Sequence, residues 1–198
     1  TPYEHYYAWK KVNNSDSTAG AGLPELQTLI AGAFSPIRFL QLLRDFVYFP
    51  DLKKGKEEEI VCRYPQFFAT HALFHHILTH QKGNGGDGKG GTYFGATGCG
   101  KTYTMVFLAR QLVLRGKKQL GSPTIVILVD REDLQNQSGK LFVNSSDFLS
   151  NGDVRVIESR HDLAKELGNR GSGGIFICTI QKFCEEMGLL SDRSNIIC

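Results

Sequence analysis

Apolar residues follow two regimes along the chain. Up to about residue 80 they recur at helical spacing. A helical pattern begins at Pro24, and Ser35-Pro36 reads as a second helix start, with an N-cap side chain and a proline in the first helical position. Ile37, Leu40, Leu43 and Val47 then repeat on one face, while Phe39, Leu42 and Phe46 add another, so this helix is expected to be sandwiched. Pro65 starts a third helix by the same rule, running to about His80. Beyond residue 91 short β-branched runs alternate with helical patterns. Strands are predicted at 92–94, 124–129, 154–158 and 175–180, and helices at 101–115 (closed by Gly116), 132–140 and 161–167. That alternation predicts an α/β fold, with a parallel sheet covered on both faces and a helical segment before it.

Polar stretches divide these regimes. Residues 13–22 read as a loop after an aromatic cluster (Tyr3, Tyr6, Tyr7, Trp9), 53–59 as a solvated charged connector, and 81–91 as a flexible turn. The expected organisation is a connector and helical segment at 1–34, helices at 35–82, a glycine-rich turn at 83–91 and an alternating strand–helix lobe at 92–198. No internal repeat is visible.

Composition narrows the class. A chain of 198 residues suffices for one compact domain, and a net charge of +3 is too small to argue for a nucleic-acid partner. No apolar run approaches the roughly 18 residues that span a bilayer, and no signal peptide is visible. Five widely spaced cysteines, Cys62, Cys99, Cys178, Cys184 and Cys198, favour a reduced, cytoplasmic setting. Glycine is the outlier at 22 residues, and nine of them fall between Gly83 and Gly100, so the excess is one local feature.

Part of that feature is chemical. Gly95-Ala96-Thr97-Gly98-Cys99-Gly100-Lys101-Thr102 satisfies G-x-x-x-x-G-K-[ST]. Glycines let backbone N–H groups curl around a phosphate, and the following helix presents its positive end. Lys101 is placed to reach the β/γ-phosphates of ATP and Thr102 to ligate Mg²⁺. A chance match arises roughly once in 60 to 100 chains of this composition, and the expected strand–loop–helix context favours nucleotide binding further. The loop alone leaves kinases, transporters, GTPases, motors and regulatory or scaffold modules open.

Other segments resemble one family. Arg63-Tyr64-Pro65-Gln66-Phe67-Phe68-Ala69, upstream of the phosphate loop, resembles the glutamine-motif region of superfamily-two helicases, and more narrowly the motor subunit of type I restriction–modification enzymes. Residues 37–49 are similar to the family's apolar helix before that motif. Residues 125–137, with Asp130-Arg131, Leu134 and Gln137, and residues 175–183 are similar to two later motifs. Residues 1–23 fit the family's connector more loosely. Gly95 and Cys99 depart from the family, which often has a larger residue at the first position and serine at the second.

The resemblance implies an incomplete RecA-like lobe that uses ATP and Mg²⁺ within an ATP-dependent translocase and site-specific deoxyribonuclease. It implies double-stranded DNA and the methyltransferase and specificity subunits as partners. Catalytic roles fall to Lys101 and Thr102, adenine contact to Gln66, and DNA contacts to Arg131, Thr179 and Gln181. Another superfamily-two helicase is the alternative within this class. The acidic Asp-Glu-x-His motif is not found, although residues 195–198 resemble the start of its strand. The second motor lobe and the nuclease centre are not found either. Both ends look cut, and without these parts the piece is expected to bind nucleotide weakly at best and to hydrolyse it negligibly.

Four other constellations read as structural. His71, His75, His76 and His80 are expected on a helix surface, and Ser159, His161 and Asp162 are too close in sequence for a catalytic triad. Glu185-Glu186 reads as a solvated helix face. Arg110, Arg115, Lys117 and Lys118 read as a solvated helix end, with contact to DNA phosphates as the alternative.

Overall fold

The computed structural model describes residues 7–51, 58–149, 153–183 and 190–198. Tyr3, Tyr6, most of the charged connector, Cys184 and Glu185-Glu186 lie outside them. Three helices open the chain: α1 (Leu23–Gly32), α2 (Pro36–Asp45) and, after a two-stranded antiparallel ladder of β1 (Val47–Tyr48) with β2 (Ile60–Val61), α3 (Tyr64–His80). There follow α4 (Lys101–Leu114), α5 (Lys117–Leu120), β3 (Thr124–Val129), α6 (Glu132–Asn144), β4 (Val154–Val156), α7 (Arg160–Asn169), β5 (Ile175–Thr179) and β6 (Ile196–Ile197). The sheet is parallel in the order β4-β5-β3-β6.

Period-two alternation along the central strands separates two cores. Ile125, Ile127, Ile175 and Ile177 face the larger one, with Phe107 and Leu112 of α4 and Phe142 of α6. Val126, Phe176 and Cys178 face the other, with Leu163 and Leu167 of α7. β3 and β5 therefore carry apolar residues at nearly every position, as strands covered on both faces must. The larger core continues into an aromatic cluster: Phe46 lies 4.9 Å from Phe67 and 5.3 Å from Phe107, and Trp9 lies 5.6 Å from Phe67, centroid to centroid. Trp9 packs so closely on α1 that a Cβ at Gly32 would sit 2.5 Å from the indole nitrogen, so that position requires glycine.

Several expectations need correction. Residues 92–94 form no strand, and Phe94 is 93% exposed; a strand requires a ladder neighbour, and none is offered to this segment among the described residues. The α2 helix stops at Asp45, because Val47 and Tyr48 pair with Val61 and Ile60. Nor is α2 sandwiched: Ile37, Leu40 and Leu43 are exposed. Its proline start is as expected, but the Ser35 hydroxyl makes no cap and turns instead to the Gly32 carbonyl at 3.5 Å. Gly116, expected to close α4 in a left-handed turn, is right-handed and precedes the short helix α5.

The basic group is not simply solvated. Asp45, 1% exposed, accepts from Arg115 at 2.6 Å and from Arg44 at 2.8 and 2.9 Å, binding the end of α2 to the end of α4. Arg110 lies over the Phe148 ring at 4.7 Å and donates to the Phe148 carbonyl. Only Lys117 and Lys118 of the four remain exposed. Ser159 caps α7 by accepting from the Asp162 N–H at 3.1 Å, which accounts for the serine and aspartate of the apparent triad.

The α3 histidines do not share one environment. His76 and His80 stack at 4.1 Å, His75 is exposed, and His71 is enclosed by Phe67 at 4.5 Å and Phe46 at 5.4 Å. Burial pushes the His71 pKa below its ordinary 6.5, against the opposing pull of Asp45. A depressed folded-state pKa means that the unfolded chain binds the proton first. Its contribution to stability is complete above about pH 6.5 and is lost as pH falls through the lower folded value. The melting temperature should drop between about pH 7.5 and 5.5, and His71→Leu should remove part of that slope while its other determinants persist; thermal scans across this range provide the check.

Candidate phosphate-binding site

The site is built where α3 and α4 both begin. α4 runs back toward the strand that follows it, so its first turn lies toward the carboxyl end of β3. The α3 helix agrees: 17 residues span about 25 Å. At its far end the Gln81 amide donates to the Ser194 carbonyl, just before β6, at 2.9 Å. Its near end meets the phosphate loop. The loop thus lies toward the carboxyl edge of the sheet, where open α/β folds bind ligands.

Backbone conformation shapes the loop. Gly98 and Gly100 have φ of +77° and +79°, values that side chains other than glycine rarely adopt. The Cys99 N–H closes a turn onto the Ala96 carbonyl at 3.2 Å. α4 starts immediately at Lys101, and N–H groups in a first helical turn have no intrahelical acceptor. The Lys101 ammonium bends over the loop, donating to the Gly95 carbonyl at 2.9 Å and the Ala96 carbonyl at 3.1 Å. Ala96, Thr97 and Gly98 are exposed, and Thr102 is half-buried one residue into the helix. A glycine-rich loop at a helix start with one ammonium suits a polyphosphate, and a threonine hydroxyl beside it suits a hard cation. The residues present fit ATP with Mg²⁺.

Gln66 has a duty that sequence reasoning missed. It is 5% exposed, as the third residue of α3. Its Oε1 accepts from the Arg63 N–H at 2.8 Å, half of a capping box. Its Nε2 donates to the Gly100 carbonyl at 3.1 Å and approaches the Cys99 carbonyl at 3.4 Å. The amide therefore joins the helix start to the loop. Reading an adenine edge, the role implied by the resemblance, would require it to give up these partners. The contact also explains Gly100, where a Cβ would lie 2.4 Å from the Gln66 nitrogen.

Tyr93 was also missed. Its hydroxyl lies beside Cys99 and the buried Thr104, and burial raises its pKa. The only sequence signal was an aromatic residue two positions before the loop.

The proposed DNA-contacting residues come from neighbouring strand ends. Arg131 follows β3 and heads α6, with its Nε 3.7 Å from Asp133 and both side chains exposed. The Gln181 amide donates to the Asp130 carbonyl, bringing the segment after β5 against the segment after β3. Thr179, paired in register with Val129, is buried; a phosphate outside the sheet edge does not reach its side chain in this arrangement.

Residues 65–198, containing the loop, Gln66 and both strand ends, match the SWI2/SNF2 ATPase family. The chain belongs to that family. Across 203 aligned positions this SWI2/SNF2 chain is 30% identical to the type I restriction enzyme HindI endonuclease subunit of Haemophilus influenzae, covering 98% of the chain and 19% of that protein. It is 30% identical over 162 residues to a Methanocaldococcus jannaschii protein named as the MjaVIIP endonuclease subunit of a type I restriction enzyme, covering 75% of the chain and 15% of that protein. The resemblance read from the motifs therefore holds, and the chain spans under a fifth of these relatives' length.

Within this SWI2/SNF2 loop the two departures are sterically linked. A Cβ at Gly95 would stand 2.9 Å from the Cys99 sulfur and 3.3 Å from Tyr93. A larger residue at 95 therefore competes for space with the thiol at 99. Gly95→Ala should weaken nucleotide binding several-fold by displacing Cys99, and adding Cys99→Ser, with its smaller oxygen, should recover most of the loss. Titration with a fluorescent ATP analogue measures both, and simple additivity would show the positions to be uncoupled.

Proposed function

We propose that residues 95–102 bind ATP with Mg²⁺ and that the chain is the nucleotide-binding part of a motor that translocates duplex DNA within a type I restriction endonuclease. The observation that carries this reading is the loop itself: two left-handed glycines and an arching Lys101 at the start of α4. In this reading Lys101 holds the β/γ-phosphates, Thr102 holds the cation, and loop and first-turn N–H groups orient the phosphate chain. Bound Mg²⁺ supplies charge neutralisation for phosphoryl transfer. Arg131 and Gln181 at the strand ends contact DNA phosphates. The relatives' names support an endonuclease subunit of a type I restriction enzyme; methyltransferase and specificity subunits as partners, and a cytoplasmic setting, are proposed from the motif resemblance. DNA cleavage belongs to other parts of the longer subunit.

In the intact subunit Lys101→Ala should lower DNA-stimulated ATP hydrolysis by about a hundredfold or more, and retained turnover in a steady-state assay would refute the proposal. Gln66→Ala tests how the loop is held. Loss of two or three hydrogen bonds, each worth about 0.5–1.5 kcal/mol, should weaken ATP and GTP alike. Competition binding measures the ratio, and selective loss of ATP preference would instead assign Gln66 to the adenine.

A further inference from the structure

The outer face of α2 is the part of the molecule that the nucleotide-binding reading leaves unexplained. Ile37 is 76% exposed and Leu40 66% exposed, one helical turn apart. With Gln41, Arg44 and Arg115 they line a groove of about 410 Å³. Apolar residues form one side, and two guanidinium groups stand at the end where α2 meets α4. Those groups share a single carboxylate, Asp45, which is buried beneath them, so the rim keeps net positive charge.

We propose that this groove docks an acidic amphipathic helix belonging to the remainder of the same subunit. The floor matches apolar side chains at i and i+3 or i+4, and the rim matches carboxylates, which is the helix-in-groove mode of recognition. Nucleic acid fits poorly, because its phosphates have no use for exposed isoleucine and leucine. A lipid surface fits less well than a helix. No single described helix is long and apolar enough to cross a membrane, and α1 with α2 pass that test by length and composition only as a pair bent by 75°. A second copy is also a poor match: α1 carries one carboxylate, Glu25, and α7 balances Asp162 and Glu166 with Arg160 and Lys165. The HindI relative is about five times the length of this chain, so the occupant is available in cis at high effective concentration. The inference uses the relatives' length and not nucleotide binding, so its failure leaves the phosphate-loop reading standing.

The test places a photocrosslinker in the groove of the full-length subunit, as Leu40→p-benzoylphenylalanine, and identifies the crosslinked peptide by mass spectrometry. The expected product is intramolecular, to a segment with apolar residues at helical spacing and at least two flanking carboxylates. Adding Ile37→Asp, at an exposed position that the fold tolerates, should lower its yield about tenfold by setting a carboxylate against those carboxylates, a change of about 1.4 kcal/mol. Crosslinks to a second copy, to DNA, to phospholipid vesicles or to a basic or neutral segment would overturn the proposal. So would a yield no higher than from the crosslinker at exposed Gln119.

Discussion

The phosphate loop depends on the Gln66 amide, which joins the start of α3 to Gly100, 34 residues along the chain and just before α4. A glycine-rich loop is a poor self-organiser, because each glycine loses more backbone freedom on folding than any other residue. Here the entropy is offset where the loop passes over α3. Gln66 satisfies the N-cap amide of α3 with its oxygen and holds loop carbonyls with its nitrogen. Gly100 must lack a side chain for the amide to approach, and its left-handed φ turns the chain directly into α4. Remove the contact and α3, the loop and α4 lose their shared point of reference.

The sheet then determines what the loop faces. α4 packs Phe107 and Leu112 into the same core as alternate residues of β3 and β5, which fixes its position relative to the strands. Buried Gln135 of α6 adds a polar join, donating to the Ile157 carbonyl at 2.9 Å and the Ile177 carbonyl at 3.3 Å. The short contact of Gln181 with Asp130 draws two strand ends together. The glycine-rich loop and the exposed Arg131 thus sit on elements that share one core.

What could be read from the sequence divides by the distance over which each signal acts. β3 was predicted with its observed bounds, because a β-branched run between turn residues is a local signal. The glycine positions and the start of α4 were legible for the same reason, since the motif specifies backbone geometry residue by residue. The predicted strand at 92–94 failed because ladder pairing is not local: the segment has strand-like residues but no neighbour to pair with among those described. Gln66 carried no clue that its amide is buried against residues 99 and 100. Arg115 read as solvated because Asp45 lies 70 residues away. In the loop, Gly95 and Cys99 read as separate departures from the family, whereas the sulfur occupies the space that a side chain at 95 would need.

The Asp45 clamp gives α2 a meaning beyond support. A carboxylate that is 1% exposed is costly to bury unless its hydrogen bonds are satisfied. Here both arginines that satisfy it stand beside the apolar groove. One belongs to α2 and the other follows α4, the helix whose opposite end carries Lys101. A body seated on the groove would press on guanidinium groups that already hold the end of α4. Rigid helices transmit such contacts over their length, about 21 Å for the 14 residues of α4. The groove and the loop therefore lie at opposite ends of α4, with Arg115 and Asp45 tying the groove end to α2.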